Sequence, residues 1–221
     1  MTDFAKARLN MVNAQLLTNG VHDPALVEVY RHLPRETLVD AAQAPHVYRD
    51  EDLPLPGGRW MLEPLVEARM IQAVLREPVR HALVIGAATL SAVAVLARFV
   101  PGITVVEPDG HLRAAAQDRL CARDGVHVTL VDAPLQQGAV DAGPYDAILI
   151  PGAVSGIPMK LLEQLAPHGQ MVCVLRETPR EQGRIVSSRR APQDGAPEIV
   201  TLYDAATPYM HGFAPEREFV F

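Results

Sequence analysis

Two stretches decide the fold: Ala82-Leu83-Val84-Ile85-Gly86 and, further on, Ile103-Thr104-Val105-Val106-Glu107. Each is a short, unbroken apolar run rich in branched side chains, and a helical pattern through Phe99 separates them. The pattern repeats: a helix over 109–123, a strand over 126–131, a strand over 147–150, a helix over 159–165 and a strand over 171–175. Strands without polar alternation are buried on both faces. Alternation of such strands with helices predicts an α/β chain with a mostly parallel sheet, covered on both sides.

Outward from this core the pattern changes. Residues 184–190 and 198–203 read as two strands with no helix between them, joined through Asp194-Gly195, so an antiparallel pair completes the sheet. On the N-terminal side, residues 3–18 read as a helix stopped by Asn19-Gly20. Asp23-Pro24 starts a second helix, with Asp as N-cap and Pro in its first turn. Residues 45–60 read as a long loop punctuated by Pro45, Pro54, Pro56, Gly57 and Gly58, and a third helix runs from Glu63-Pro64 to about Glu77. The expected organisation is one domain over 1–221, with N-terminal helices and a loop over 1–78 and a Rossmann-like core over 79–221.

The composition suits that core: 221 residues, 48% hydrophobic and 21% charged. The formal net charge of −6 argues against a nucleic-acid groove, which would show a basic stripe. No apolar run approaches the roughly 20 residues of a membrane helix, and the first residues lack the layout of a secretory signal. A cytoplasmic location is expected. Two cysteines, Cys121 and Cys173, make neither a disulfide framework nor a zinc set, and the eight histidines are scattered.

In an open parallel sheet a ligand lies beyond the carboxyl ends of the strands, at the switch in strand order. The first strand leads into Gly86-Ala87-Ala88, the second ends at Glu107, and the third ends at Asp132-Ala133. A carboxylate at the end of the second strand is placed to accept hydrogen bonds from a ribose diol. The plain alternative is a solvated strand terminus or a capping group.

A resemblance then becomes readable. Met11-Val12-Asn13-Ala14-Gln15-Leu16, Gly20-Val21-His22-Asp23-Pro24, Leu33-Pro34-Arg35-Glu36 and Tyr48-Arg49-Asp50-Glu51-Asp52-Leu53-Pro54-Leu55 resemble the N-terminal region of protein-L-isoaspartate O-methyltransferases. So do Pro144-Tyr145-Asp146-Ala147-Ile148-Leu149-Ile150 and the segment from Ile157-Pro158 to Gly169-Gln170. The resemblance implies a class I methyltransferase fold, S-adenosylmethionine as cofactor and damaged proteins or peptides as substrate. It implies a cofactor site at Gly86, Ala87, Ala88, Glu107, Asp132 and Ala133, and a substrate loop at Arg59, Trp60, Met61 and Leu62. The acceptor would be a carboxylate, already ionised at neutral pH, so no catalytic residue and no metal ligand is assigned.

The sequence departs from the family's pattern in those same places. The family's first-strand Asp is Val84, and its three turn glycines are Gly86, Ala88 and Leu90. Its Gly-Asp-Gly run becomes Ala133-Pro134-Leu135, and two hydroxyl positions of the substrate loop become Trp60 and Leu62. Two function classes stay open. One is a carboxyl methyltransferase. The other is a non-catalytic relative that binds a protein, a peptide or another nucleotide-like metabolite. Trp60 either stacks on a ligand or plugs the cleft, and Leu90 either fills the pocket or follows a different turn.

Overall fold

The computed structural model describes residues 3–87, 90–120, 127–191 and 195–216. Ala88, Thr89, Cys121 and the Pro192-to-Asp194 part of the expected hairpin connection lie outside the described residues.

Seven strands form the central sheet: β3 (His81–Ile85), β4 (Gly102–Val106), β5 (Val128–Val131), β6 (Tyr145–Val154), β7 (Leu165–Leu175), β8 (Gly183–Arg189) and β9 (Glu198–Ala205). Their order is β5-β4-β3-β6-β7-β8-β9. The first five run parallel; β8 and β9 are antiparallel. This is the expected α/β architecture with its antiparallel C-terminal pair. The chain winds from β3 outward to β5, then crosses back to β6. The switch in strand order therefore lies between β3 and β6, and the crevice beyond their carboxyl ends is the place for a ligand.

Period-two alternation sorts the strand residues between two layers. Ala82, Val84, Val105, Ala147, Leu149, Val172 and Val174 pack under α1 (Phe4–Met11), α2 (Pro24–His32), α3 (Pro64–Val74) and α4 (Leu90–Leu96). Leu83, Ile85, Val106, Ile148, Ile150, Met171 and Cys173 face the opposite layer, which includes Leu135, Leu161, Met210 and Phe213. α5 (Gly110–Leu120) and the one-turn α6 (Met159–Leu162) complete the α-helices among the described residues.

Several boundaries differ from the sequence expectation. The first helix passes through a π turn at Val12–Leu16 and a 3-10 turn at Leu17–Asn19 before Gly20 closes it at φ 85°. α3 stops at Val74, where Gln170 of β7 donates to the carbonyls of Ala73 and Val74 at 3.1 Å each. The expected loop over 45–60 holds a hairpin, β1 (Leu53–Leu55) with β2 (Arg59–Met61). Its three-residue arms are too short to show alternation. Pro54, at the middle of β1, reads as a strand breaker.

Residues that carry the family resemblance tie the N-terminal layer together. Arg8 donates to the Tyr48 hydroxyl and to Glu36, both at 2.9 Å, and the Tyr48 hydroxyl donates to the other Glu36 oxygen. The Gln15 amide donates to the Tyr48 carbonyl at 3.0 Å. Asp23 caps α2 through the Leu26 N–H at 2.8 Å. Arg35, 1% exposed, donates to Glu67 (2.7 Å), Ser91 (2.8 Å) and the carbonyls of Val47 (3.0 Å) and Leu62 (2.9 Å). A buried charge persists when its donors are satisfied in this way. The Leu62 contact matters most for function, because it pins the stretch that follows β2.

Candidate functional site

Glu107 directly follows β4 and has no exposed surface. Its Oε2 accepts the Ala87 N–H at 3.0 Å, which fixes the turn after β3. Its Oε1 accepts the Asp109 N–H at 3.1 Å and the Arg59 Nη2–H at 2.6 Å. Arg59 is itself 6% exposed. The carboxylate expected to hold a ribose diol instead forms a buried ion pair with the expected substrate loop.

The hairpin delivers Arg59 to that place. Pairing of Leu53 with Met61, Pro54 with Trp60 and Leu55 with Arg59 puts Arg59 first after the turn. The turn uses Gly57 at φ 71° and Gly58 at φ 68°, a conformation that suits glycine. At the base of the hairpin, Asp52 accepts the Glu63 N–H at 2.9 Å. Burial, then the charges of Asp52 and Asp50, push the Glu63 carboxyl up to about 7. Burial also raises Asp52. Asp52 therefore serves the structure of the hairpin base. The Arg59 Nε–H is buried with no hydrogen-bond partner among the described residues.

A C-terminal strap covers the crevice from the other side. Tyr209 bridges to Ala153 of β6: the Ala153 N–H donates to the Pro208 carbonyl (2.9 Å) and the Met210 N–H to the Ala153 carbonyl (2.8 Å). The Ser155 N–H donates to the Phe213 carbonyl (3.0 Å), and the Tyr209 hydroxyl to the Arg176 carbonyl (2.9 Å). The Arg176 guanidinium donates to the carbonyls of Pro179, Glu181 and Thr207. Between hairpin and strap, walled by Trp60, Leu62, Gly86 and Gly152, the remaining cavity is about 10 Å³. That is room for about one water.

The structure brings Gly86, Ala87, Glu107, Arg59, Trp60 and Leu62 to one place. Met61, 1% exposed, turns into the core. Leu90 is buried in the apolar cluster of the helical layer and is not among the residues that wall the cavity between hairpin and strap. Asp132 and Ala133 line a separate, open recess of about 330 Å³ with Gln137 to Ala142. The Asp132 carboxylate accepts the Arg113 Nη2–H at 2.6 Å. Sequence reasoning missed the strap residues Pro208 to His211. Pro208 and Gly212 mark a turn there, but nothing in the sequence ties that turn to β6. Among the described residues, no set of three or more His, Cys, Asp or Glu is grouped to hold a metal, and no helix is long and apolar enough to cross a membrane.

Residues 7–205 match the family model of protein-L-isoaspartate(D-aspartate) O-methyltransferase. The chain belongs to that family. A protein-L-isoaspartate O-methyltransferase of Methylorubrum extorquens is 38% identical over 170 residues, 77% of this chain and 74% of the relative. One from Methylorubrum populi is 36% identical over 193 residues, 87% and 89% of the two chains. A solved protein-L-isoaspartate O-methyltransferase aligns with TM-score 0.73 over 94% of this chain and 67% of its own, at 17% identity. A Plasmodium falciparum structure in complex with S-adenosyl-L-homocysteine aligns with TM-score 0.69 over 95% and 98%, at 13% identity. At those identities the structural likenesses establish the fold.

S-adenosylmethionine is the cofactor of this family. Glu107 and the Gly86 turn stand where the family resemblance places its ribose and methionine ends. In this arrangement Arg59 takes the Glu107 carboxylate and the space between hairpin and strap is too small for those two ends, whereas Asp132 and Ala133 line a recess of about 330 Å³, within the roughly 300–1,000 Å³ of small-molecule sites.

Proposed function

We propose that this chain is a protein-L-isoaspartate O-methyltransferase of the S-adenosylmethionine-dependent class that rests with its cofactor crevice shut. The observation that carries the reading is the Arg59–Glu107 pair, 2.6 Å long and buried on both sides. Family membership supports carboxyl methylation of isoaspartyl residues in damaged proteins as the activity. The hairpin that bears Arg59 and Trp60 then has two duties, to line the substrate approach and to close the cofactor crevice.

A second reading is favoured by the apolar character of that closure. Trp60, Leu62 and Met210 fill the mouth as packing groups do, and burial of apolar surface contributes about 25 cal/mol per Å². On this reading the chain is a non-catalytic relative that presents the same fold to a protein or peptide.

Calorimetric titration of the purified protein with S-adenosylhomocysteine tests the resting state. The expected result is no heat and no rise in melting temperature at micromolar ligand. A micromolar Kd, which corresponds to about −8 kcal/mol, overturns the closed reading. A methyl-transfer assay on an isoaspartyl peptide, run on variants with an opened crevice, then separates the two readings. Methyl ester formation supports the enzyme, and its absence in a variant that binds the cofactor supports the scaffold.

A further inference from the structure

The strap adds something that the hairpin alone does not explain. Built onto Gly86, a Cβ would lie 3.5 Å from the Met210 Cε and 3.6 Å from its Sδ. The thioether of Met210 thus lies beside the place that a side chain at the turn after β3 would take. On the neighbouring strand, a Cβ on Gly152 would meet the Met210 backbone N and Cβ at 3.2 Å. The bare backbone of Gly152 is what lets the strap come so close. Met210 and Phe213 are each only 7% exposed, although they follow the last strand of the sheet. The match to the family model ends at residue 205, two residues short of the strap.

Two side chains from opposite ends of the sequence therefore divide one crevice. Arg59 offers an N–H donor to the Glu107 carboxylate, where a ribose diol would offer O–H donors. Met210 lays an unbranched CH2–S–CH3 group over the glycine turn, where the tail of a nucleoside thioether would lie. We infer that the 207–213 strap and Arg59 form an internal ligand that mimics an adenosyl thioether and must leave together before such a ligand can enter. The inference rests on the closed reading given above. It goes beyond it by assigning the closure to Met210 as well as Arg59, and by making the strap a gate.

The geometry includes a reason for release. Arg59 makes its contact with Glu107 while its Nε–H is buried with no hydrogen-bond partner among the described residues. A buried donor without an acceptor disfavours the closed state relative to one in which that group reaches water. The strap, in turn, is held to β6 by main-chain hydrogen bonds at a single bridge and its flanks rather than along a paired strand.

The test uses the full chain in four forms: wild type, Met210→Ala, Arg59→Gln and the double variant. Arg59→Gln shortens the side chain and removes the cation that reaches Glu107, so the crevice loses bulk and the carboxylate is released from its pair. Each form is checked for a cooperative melt and titrated with S-adenosylhomocysteine by calorimetry, and amide exchange is followed at Ala153, Ser155, Met210 and Phe213. In Met210→Ala those amides are expected to exchange about tenfold faster than in wild type, because the side chain that anchors the strap is gone. The double variant is expected to bind at least about tenfold more tightly than wild type. A folded double variant that gives no more heat than wild type overturns the internal-ligand inference and leaves the closed reading standing. Unchanged strap exchange in Met210→Ala also overturns it. Micromolar binding to wild type removes the closed reading itself, and with it the premise.

Discussion

At the scale of single residues, the decisive feature is a carboxylate with more donors than its chain position suggests. Glu107 accepts two backbone N–H groups and one guanidinium. Loss of one partner from a buried ion pair costs about 3–5 kcal/mol, because the remaining charge stays buried. Arg59→Met is therefore expected to lower stability by that amount in urea unfolding. Adding Glu107→Gln to Arg59→Met removes the stranded charge yet keeps an oxygen for a backbone donor. The double variant is expected to recover at least about 1 kcal/mol of the loss, a coupling that a double-mutant cycle reads directly. Strictly additive losses would mean the pair contributes nothing beyond its separate parts. The sequence shows half of this arrangement. A glutamate ending an apolar strand is legible as a site for a donor. Its donor stands 48 residues earlier, in a stretch with no periodic pattern. No rule of local spacing connects the two.

The hairpin β1–β2 is the element on which the site depends, and its base carries a pH dependence. The Glu63 carboxyl lies at about 7 in the folded protein against an ordinary 4.5, chiefly because of burial and then Asp52 and Asp50, with Arg69 opposing. Between those two values the folded chain holds a proton that the unfolded chain has released. Stability attributable to this group therefore falls as pH rises from about 4.5 to about 7 and is flat above. Allowing for solvent screening of a half-buried group, the effect is about 1 kcal/mol. Glu63→Gln is expected to be more stable than wild type by that amount at pH 8 and equal to it at pH 4, as read by melting temperature at the two pH values. An equal difference at both would show that the carboxyl is not perturbed. Strands β3, β4 and β6 were legible because double-sided burial writes an unbroken apolar run into the sequence. The hairpin was not, because its two three-residue arms offer too short a pattern and Pro54 masks the first of them.

For the whole molecule, the parallel sheet and its two covering layers were legible from the alternation of strands and helices. The path of the last segment was not. Residues 207–213 return to the end of β6 through backbone hydrogen bonds, with Tyr209, Met210 and Phe213 adding side-chain contacts. Those three side chains form no periodic pattern that the sequence alone would tie to β6. The consequence is a seven-stranded sheet with two covers over one crevice, the β1–β2 hairpin and the 207–213 strap. Cys173 lies in β7, between β6 and β8, fully buried, and burial pushes its thiol up to about 12. Only thiolate reacts quickly with alkylating reagents, so this thiol is silent while the sheet is intact. In a Cys121→Ser chain, alkylation at pH 8 is expected to proceed at a rate set by global unfolding, accelerating with urea along the unfolding free energy. Met210→Ala, which frees the strap alone, is expected to speed exchange of the strap amides and leave Cys173 labelling unchanged once any difference in global stability is subtracted. If labelling rises in step with strap exchange, the strap and the central sheet open as one cooperative unit. The crevice would then be closed by the stability of the whole fold rather than by a cover able to move on its own.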